Sequence, residues 1–515
     1  DPYDQNTHAE FFDPEWMFSL DGQDFSGFDI VIGNPPYVRQ ERIKDQKAAL
    51  KPLYQCYTGV ADLFVYFFER GIQLLRTGGV FSFITSNKWL RSGYGGPLRA
   101  YLSRETQVRR LIDFGDADIF DAIAYPCIVI LSKGKGRADA NFAAVNWDME
   151  WKVEDVGRHL AGDTFSMVQS DLAPGAWRLE GRTKLALLDR IKAAGTPLGE
   201  YVKGRFYYGI KTGLNEAFVV SRETRDQLIT AHPSSAEVLK PFLRGRDIKR
   251  WRVEFEEQYL LFVPWHFPLH TDKSITGSSQ KAEKALESGF PAVYAHLKSY
   301  KRELSARNKA ETGVRYEWYA LQRWGAEYWR EFEQPKIVYP DIYEHQTFAW
   351  EPSGFYLANT CYFIPTAEKW LGAVLNSPTV EWFYAQISNK IRGGYMRSFS
   401  DYMRTIPIPA ATPNQQRLVE RVAEYVIQLR GQGPVAAYFE RLLNGLVYEL
   451  YFEKDLHAEK LTIFAHLAAA KPPKLTAKAD IAAFHQEISD VGHPLYADIF
   501  SLNGIEVVQI IEERK

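Results

Sequence analysis

The chain has 515 residues, 46% hydrophobic and 14% aromatic, enough for roughly three or four domains with sizeable cores. Its 62 basic and 64 acidic residues give a net charge of −2, so a nucleic-acid surface has to be built locally rather than from the whole chain. No apolar run reaches membrane-spanning length, no signal-peptide pattern is visible, and Cys56, Cys127 and Cys361 are too few and too far apart for a disulfide framework or a zinc cluster. The expectation is a cytoplasmic protein with no membrane contact and no metal.

In chain order, Phe28-Asp29-Ile30-Val31-Ile32 reads as a buried strand that delivers Gly33-Asn34-Pro35-Pro36-Tyr37, at the end where open α/β sheets place their chemistry. Leu63 to Leu75 has helical apolar spacing and ends before Gly78-Gly79. Val80 to Ile84 is the next strand and opens into Thr85-Ser86-Asn87-Lys88-Trp89-Leu90. A short helix around Leu98 to Leu102 precedes Leu111-Ile112-Asp113-Phe114-Gly115, then Ile119-Phe120 and Tyr125, then the strand Pro126 to Leu131. Strands alternating with helices predict a doubly wound α/β sheet. Gly93-Tyr94-Gly95-Gly96 and Gly134-Lys135-Gly136 lie between no first strand and its helix and read as turns.

A second region, from about Trp177 to Pro409, holds Phe206 to Phe218, Leu239 to Trp251, Pro335 to Pro340, Leu375-Asn376-Ser377 and Ile406 to Pro409. Arg244, Arg246, Lys249 and Arg250 form a basic cluster at a turn, and Arg392-Gly393-Gly394-Tyr395-Met396-Arg397 adds cations and an aromatic on a flexible backbone. Guanidinium and ammonium groups so placed suit phosphates or guanine edges, the alternative for each cluster being a solvated loop. Glu303, Arg307, Arg315 and Trp318 fall in a charged stretch read as a solvated helical face. After Pro413-Asn414-Gln415-Gln416 the pattern is mainly helical, and the apolar run Ile505 to Ile511 has no legible role.

The series Asn-Pro-Pro-Tyr, Ala-Asp-Leu-Phe, Gly-Gly-Val-Phe-Ser-Phe-Ile, Asp-Phe-Gly and Ile-Phe resembles the Taq-type N6-adenine DNA methyltransferases, and the second region resembles their target-recognition domain. The resemblance implies that S-adenosylmethionine is the cofactor, double-stranded DNA the partner, and a restriction-modification system the setting. The parent protein would carry a nuclease domain if it is of the fused type. The chemistry suits the motif: the adenine amine is a poor nucleophile, and two acceptors, the Asn34 side-chain oxygen and the Pro35 carbonyl on a stiff Pro-Pro turn, can draw its protons and pyramidalise it. Tyr37 offers a face on which a flipped base can stack. Phe120 takes the place of the family's second base-contacting aromatic, with Tyr125 as competitor. Asp62 and Phe67 match the border of the cofactor's adenine, although Phe67 lies in an aromatic stripe of the kind that usually packs a core.

The family places its glycine-rich cofactor loop and ribose-binding acid before Asn-Pro-Pro-Tyr, and nothing in the stretch before Asn34 supplies them. The expectation is therefore the C-terminal part of a doubly wound Rossmann-like methyltransferase sheet (1–136), a linker or insertion (137–176), an α+β target-recognition domain (177–411) and a mainly helical C-terminal region (412–515). Such a chain alone would be inactive. Two other readings stay open: a non-catalytic DNA-specificity module, and a methyltransferase acting on RNA or on a protein glutamine.

Overall fold

The computed structural model describes residues 17, 25–115, 117, 125–148, 151–172, 176–307, 316–388, 395–474 and 477–513. The chain divides into two compact units, Asp1–Ala186 and Leu187–Lys515.

The first unit is built on a six-stranded sheet of β1 (Phe28–Gly33), β2 (Leu75–Ser86), β3 (Thr106–Asp113), β4 (Pro126–Lys133), β5 (Asn141–Asn146) and β6 (Phe165–Val168), in the order β1-β2-β4-β3-β5-β6. β1 runs parallel to β2, and β4 inserts antiparallel between β2 and β3. The sheet is thus mixed, and the exits of β1, β2 and β3 line up with the entry of β4 along one edge. Within the stretch read as linker or insertion, β5 pairs parallel with β3, and β6 closes antiparallel on β5.

The helix expected after Asp62 forms as α1 (Phe64–Leu74). Phe64, Phe68 and Ile72 recur at four-residue spacing and are buried, as one stripe of an amphipathic helix should be. The Phe68 ring lies 5.3 Å from Phe81 and 5.6 Å from Phe83 on β2. Gly71 permits this approach, since a Cβ there would stand 2.7 Å from the Phe81 ring. Helix α2 (Gly96–Glu105) adds Leu98 and Leu102 to the same core. On the other face a smaller cluster of Ile112, Phe114, Val145 and Trp147 covers one end of the sheet. By register Ile30 and Ile32 belong to that second face, and they are 64% and 79% exposed, so the strand expected to be buried is open on one face.

The second unit contains two four-stranded sheets. In one, Leu239–Leu243 lies between Tyr259–Leu261, antiparallel, and Tyr356–Leu357, parallel. In the other, Lys336–Pro340 lies between Ala349–Glu351 and Cys361–Pro365. Lys336 is fully buried and donates to Glu351 Oε2 at 2.5 Å and to the Phe332 carbonyl at 2.6 Å, so its charge is paired where burial would otherwise push its proton off. Asn376 of the Leu375-Asn376-Ser377 motif brackets Phe348 with both amide atoms, at 3.0 and 2.9 Å, and Ser377 caps helix Pro378–Ile387. Helix Pro413–Gln428 starts where Pro413-Asn414-Gln415-Gln416 predicts, with a Thr412–Gln415 capping box. One hydrophobic core runs from Ile337 and Trp370 through Val422 and Leu446 to Val508 and Ile511, so the C-terminal helices share the core of the second sheet.

The reading of the charged stretch as a solvated face is also corrected. Arg307 is no solvated face: it donates to the carbonyls of Leu304, Thr212, Ala320 and Trp318 at 2.6 to 3.1 Å, and burial lowers its pKa. Trp318 bonds Glu283 at 2.8 Å, and Arg315 lies outside the described residues. Donating to four carbonyls offsets part of the cost of burying the guanidinium, which charge patterning does not register.

Candidate functional site

Gly33-Asn34-Pro35-Pro36-Tyr37 leaves the carboxyl end of β1. Pro35 is buried, so the turn is anchored, while the Asn34 side chain is exposed and has no hydrogen-bond partner among the described residues. The Tyr37 ring is 39% exposed, and its hydroxyl donates to the Ile84 carbonyl at the end of β2, 3.3 Å away. Burial of that hydroxyl, with Cys127 nearby, pushes its pKa up to about 12, which keeps it a donor to that carbonyl. Two bonds tie the motif's exit to the start of α1: Gln40 N–H to Asp62 Oδ1 at 2.9 Å and Leu63 N–H to the Val38 carbonyl at 3.0 Å. Asp62 therefore stands beside the motif. Phe67 is 42% exposed, turned away from the core that holds Phe64 and Phe68.

Phe120 lies outside the described residues. Its competitor Tyr125 stands at the entry of β4, where its carbonyl accepts the Asn87 N–H at 2.6 Å and Lys88 Nζ sits 5.5 Å over its ring. The same edge holds groups to which sequence reading assigns no role. Asp113, buried at the end of β3, accepts from Asn87 Nδ2 at 2.7 Å and from Gly115 N–H at 3.0 Å, with the Arg91 guanidinium 4.0 Å away. It knots the exits of β2 and β3 to the chain leading toward Phe120. The signal is Asp-Phe-Gly itself, but an acid at a strand end announces no partner.

In the second unit the four clustered cations have different fates. Arg244 grips Asp247 through two nitrogens at 3.1 and 3.2 Å and Glu256 at 2.5 Å. Arg250 bonds Glu440 at 2.6 Å and the Gln346 carbonyl at 3.0 Å. Arg246 is 67% exposed, with its nearest carboxylate oxygen, on Glu256, at 3.6 Å, and Lys249 has no side-chain partner among the described residues. Arg392 lies outside the described residues; Tyr395 is exposed, and Arg397 pairs with Asp341 at 3.0 Å and lies 5.1 Å from the Phe399 ring. Arg244, Arg246 and Asp341 line one cleft of about 720 Å³ together with Asn215, Glu216 and Asn359. The two basic segments, about 150 residues apart in sequence, thus meet at one place through the Asp341–Arg397 pair.

Residues 3–120 match the model of the Eco57I restriction-modification methylase family, and residues 240–408 match the TaqI-like C-terminal specificity domain. The chain therefore joins a restriction-modification methylase segment to a specificity domain, the plan of a type II restriction-modification methyltransferase. It is similar to the type II methyltransferase M.PaeR7I of Pseudomonas aeruginosa, 27% identical over 84% of this chain and 72% of that one. It is likewise similar to M.XhoI of Xanthomonas vasicola, 27% identical over 74% of this chain and 68% of that one. Among solved structures, the type IIL restriction-modification enzyme MmeI in complex with DNA superposes with a TM-score of 0.54 at 15% identity. That likeness is one of fold; it takes in 92% of this chain and 57% of MmeI, so the chain spans a little over half of that enzyme. No helix among the described residues is long and apolar enough to cross a membrane, and no metal-holding cluster of His, Cys, Asp and Glu is found among them.

Proposed function

We propose that this chain is the catalytic-motif and DNA-recognition part of a methyltransferase that modifies adenine N6 in double-stranded DNA within a restriction-modification system. The observation that carries it is the Asn34 side chain, exposed and internally unpartnered at a strand exit, next to the exposed ring of Tyr37. A base swung out of the duplex would stack on Tyr37, with Phe120 as the second aromatic. Asn34 Oδ1 and the Pro35 carbonyl would each accept one amine hydrogen, freeing the nitrogen lone pair for in-line attack. S-adenosylmethionine supplies the methyl group when bound. Asp62, which has spent one carboxylate oxygen on Gln40 N–H, and the outward-facing Phe67 are suited to border its adenine.

The uncovered Ile30 and Ile32 support a further point: the sheet face beside the motif is incomplete, as it would be if the glycine-rich loop belongs to strands beyond those described. For the chain by itself, the same uncovered face favours a second reading, a DNA-specificity module with a methylase segment as scaffold. The match to a specificity domain weighs against an RNA or protein-glutamine substrate.

Sequencing that reads base modifications directly, on DNA from cells expressing the whole parent gene rather than this chain alone, tests the proposal. N6-methyladenine at one short recurring sequence is expected. Unmodified DNA, or a mark on cytosine alone, would overturn it.

A further inference from the structure

The cleft between Arg244 and Asp341 holds more hydrogen-bonding groups than its own fold uses. Several are committed. Arg244 is held by Asp247 and Glu256, and Asp341 by Arg397 and the Tyr362 hydroxyl at 3.2 Å. Thr360 Oγ1 accepts the Gly245 N–H at 3.1 Å, and Asn215 Oδ1 accepts the Thr212 hydroxyl at 2.6 Å.

Besides Arg246, two side chains that line the cleft are not committed. Glu216 and Asn359 are both exposed, and neither has a side-chain partner among the described residues. They come from different elements, and both backbones are fixed. Glu216 precedes Ala217 and Phe218, which are fully buried, and Val219 and Val220 pair with Leu260 and Tyr259. Asn359 sits in the turn after Tyr356–Leu357, held by Ala358 N–H to the Leu243 carbonyl at 2.8 Å and Cys361 N–H to the Ala358 carbonyl at 2.9 Å. An acceptor pair and an amide on rigid supports have the geometry of readers rather than of surface decoration.

The electrostatics select what is read. Asp247 and Glu256 offset Arg244 and the more exposed Arg246, Arg397 is offset by Asp341, and Glu216 adds a negative charge of its own, so the cleft is no cationic trough for a phosphate backbone. It suits base edges. We propose that Glu216 and Asn359 are specificity-determining residues, each reading a base edge of the target DNA. A carboxylate accepts from an exocyclic amine such as cytosine N4, and an asparagine amide pairs with the N6/N7 edge of adenine. The proposal rests on the DNA-recognition reading of the second unit and adds to it the groups that discriminate.

The test is selection from a random double-stranded library by the full 515-residue chain, with sequencing of the bound fraction. The wild-type chain should enrich one motif. Glu216→Ala and Asn359→Ala should each retain that motif but relax preference at one position, a different one for each, by roughly 5- to 150-fold. Glu216→Gln, which keeps the shape and replaces one acceptor with a donor, should shift the preferred base at the Glu216 position rather than merely relax it. Both residues are exposed, so the variants should melt with the wild-type chain. If the wild-type chain enriches a motif and all three variants enrich it unchanged, Glu216 and Asn359 are not readers, while DNA recognition stands. If the wild-type chain enriches nothing, the recognition reading fails and this proposal fails with it.

Discussion

Asn34 and Tyr37 are close in sequence but are asked to do different things, and their surroundings separate the two roles. Asn34 makes no internal bond, so replacing it removes nothing that holds the fold. In the enzyme that carries this motif, Asn34→Ala should cut methyl transfer at least about a hundredfold, the scale of removing one preorganised acceptor from the transition state, while specific DNA binding stays intact. Single-turnover kinetics beside a binding isotherm separates the two effects, and near-normal transfer by Asn34→Ala would remove the mechanism. Tyr37→Ala should instead weaken capture of the flipped base, seen as reduced fluorescence of 2-aminopurine at the target position. Arg307 shows at the same scale where charge patterning misleads, because an arginine in a stretch of mixed charge reads as solvated until its four carbonyl partners are in place.

Among elements, the strand Lys336–Pro340 carries the clearest energetic statement. Its Lys336 faces Glu351 with both side chains out of water. Glu351→Ala should destabilise the chain by about 3–5 kcal/mol, because it strands a buried ammonium, whereas Lys336→Met combined with Glu351→Leu should cost less, the remaining loss coming from the Ser353 and Phe355 N–H groups and the Phe332 carbonyl that lose their partners. Urea unfolding midpoints measure both, and equal losses in the two variants would show that the pair itself, not its isolation, matters. The turn Arg244 to Arg250 makes a second statement. Removing Arg244 or Arg250 should lower the melting temperature, since Asp247 and Glu440 lose their partners. Removing Arg246 or Lys249 should leave stability alone and weaken DNA binding: a lost phosphate contact flattens the slope of log affinity against log salt by about one unit, whereas a lost base-edge contact relaxes preference at one position of the site. The reverse pattern would move the DNA-facing surface elsewhere, with Tyr395 and Arg397 the next residues to replace. Elements also mark where local reading stops. β5, short and alanine-rich, carries little strand signal of its own and becomes a strand by pairing with β3. Phe67, by contrast, has clear helical spacing, but periodicity does not say which arc of α1 meets the sheet.

At the scale of the whole molecule, the uncovered face at Ile30 and Ile32 bears on cofactor binding. Calorimetric titration of the purified chain with S-adenosylmethionine should show weak binding or none, and micromolar binding would mean that the cofactor site is built from residues other than those assigned to it. By itself the sequence determined the alternation of strands and helices in the first unit, the exit of Asn34-Pro35-Pro36-Tyr37 from a strand, and the order of the recognition motifs. Each of these is encoded by neighbours a few residues apart, in apolar period, turn chemistry and capping. Tertiary structure alone decided that β4 enters antiparallel between β2 and β3, that Asp113 knots the strand exits, and that Arg244 and the Asp341 that holds Arg397 share one cleft. It also decided which cations are spent on carboxylates and which remain exposed. The physical reason is the same throughout: a side chain's partner across a hundred residues is chosen by burial and by what else the site must satisfy, and those terms exist only once the chain has packed.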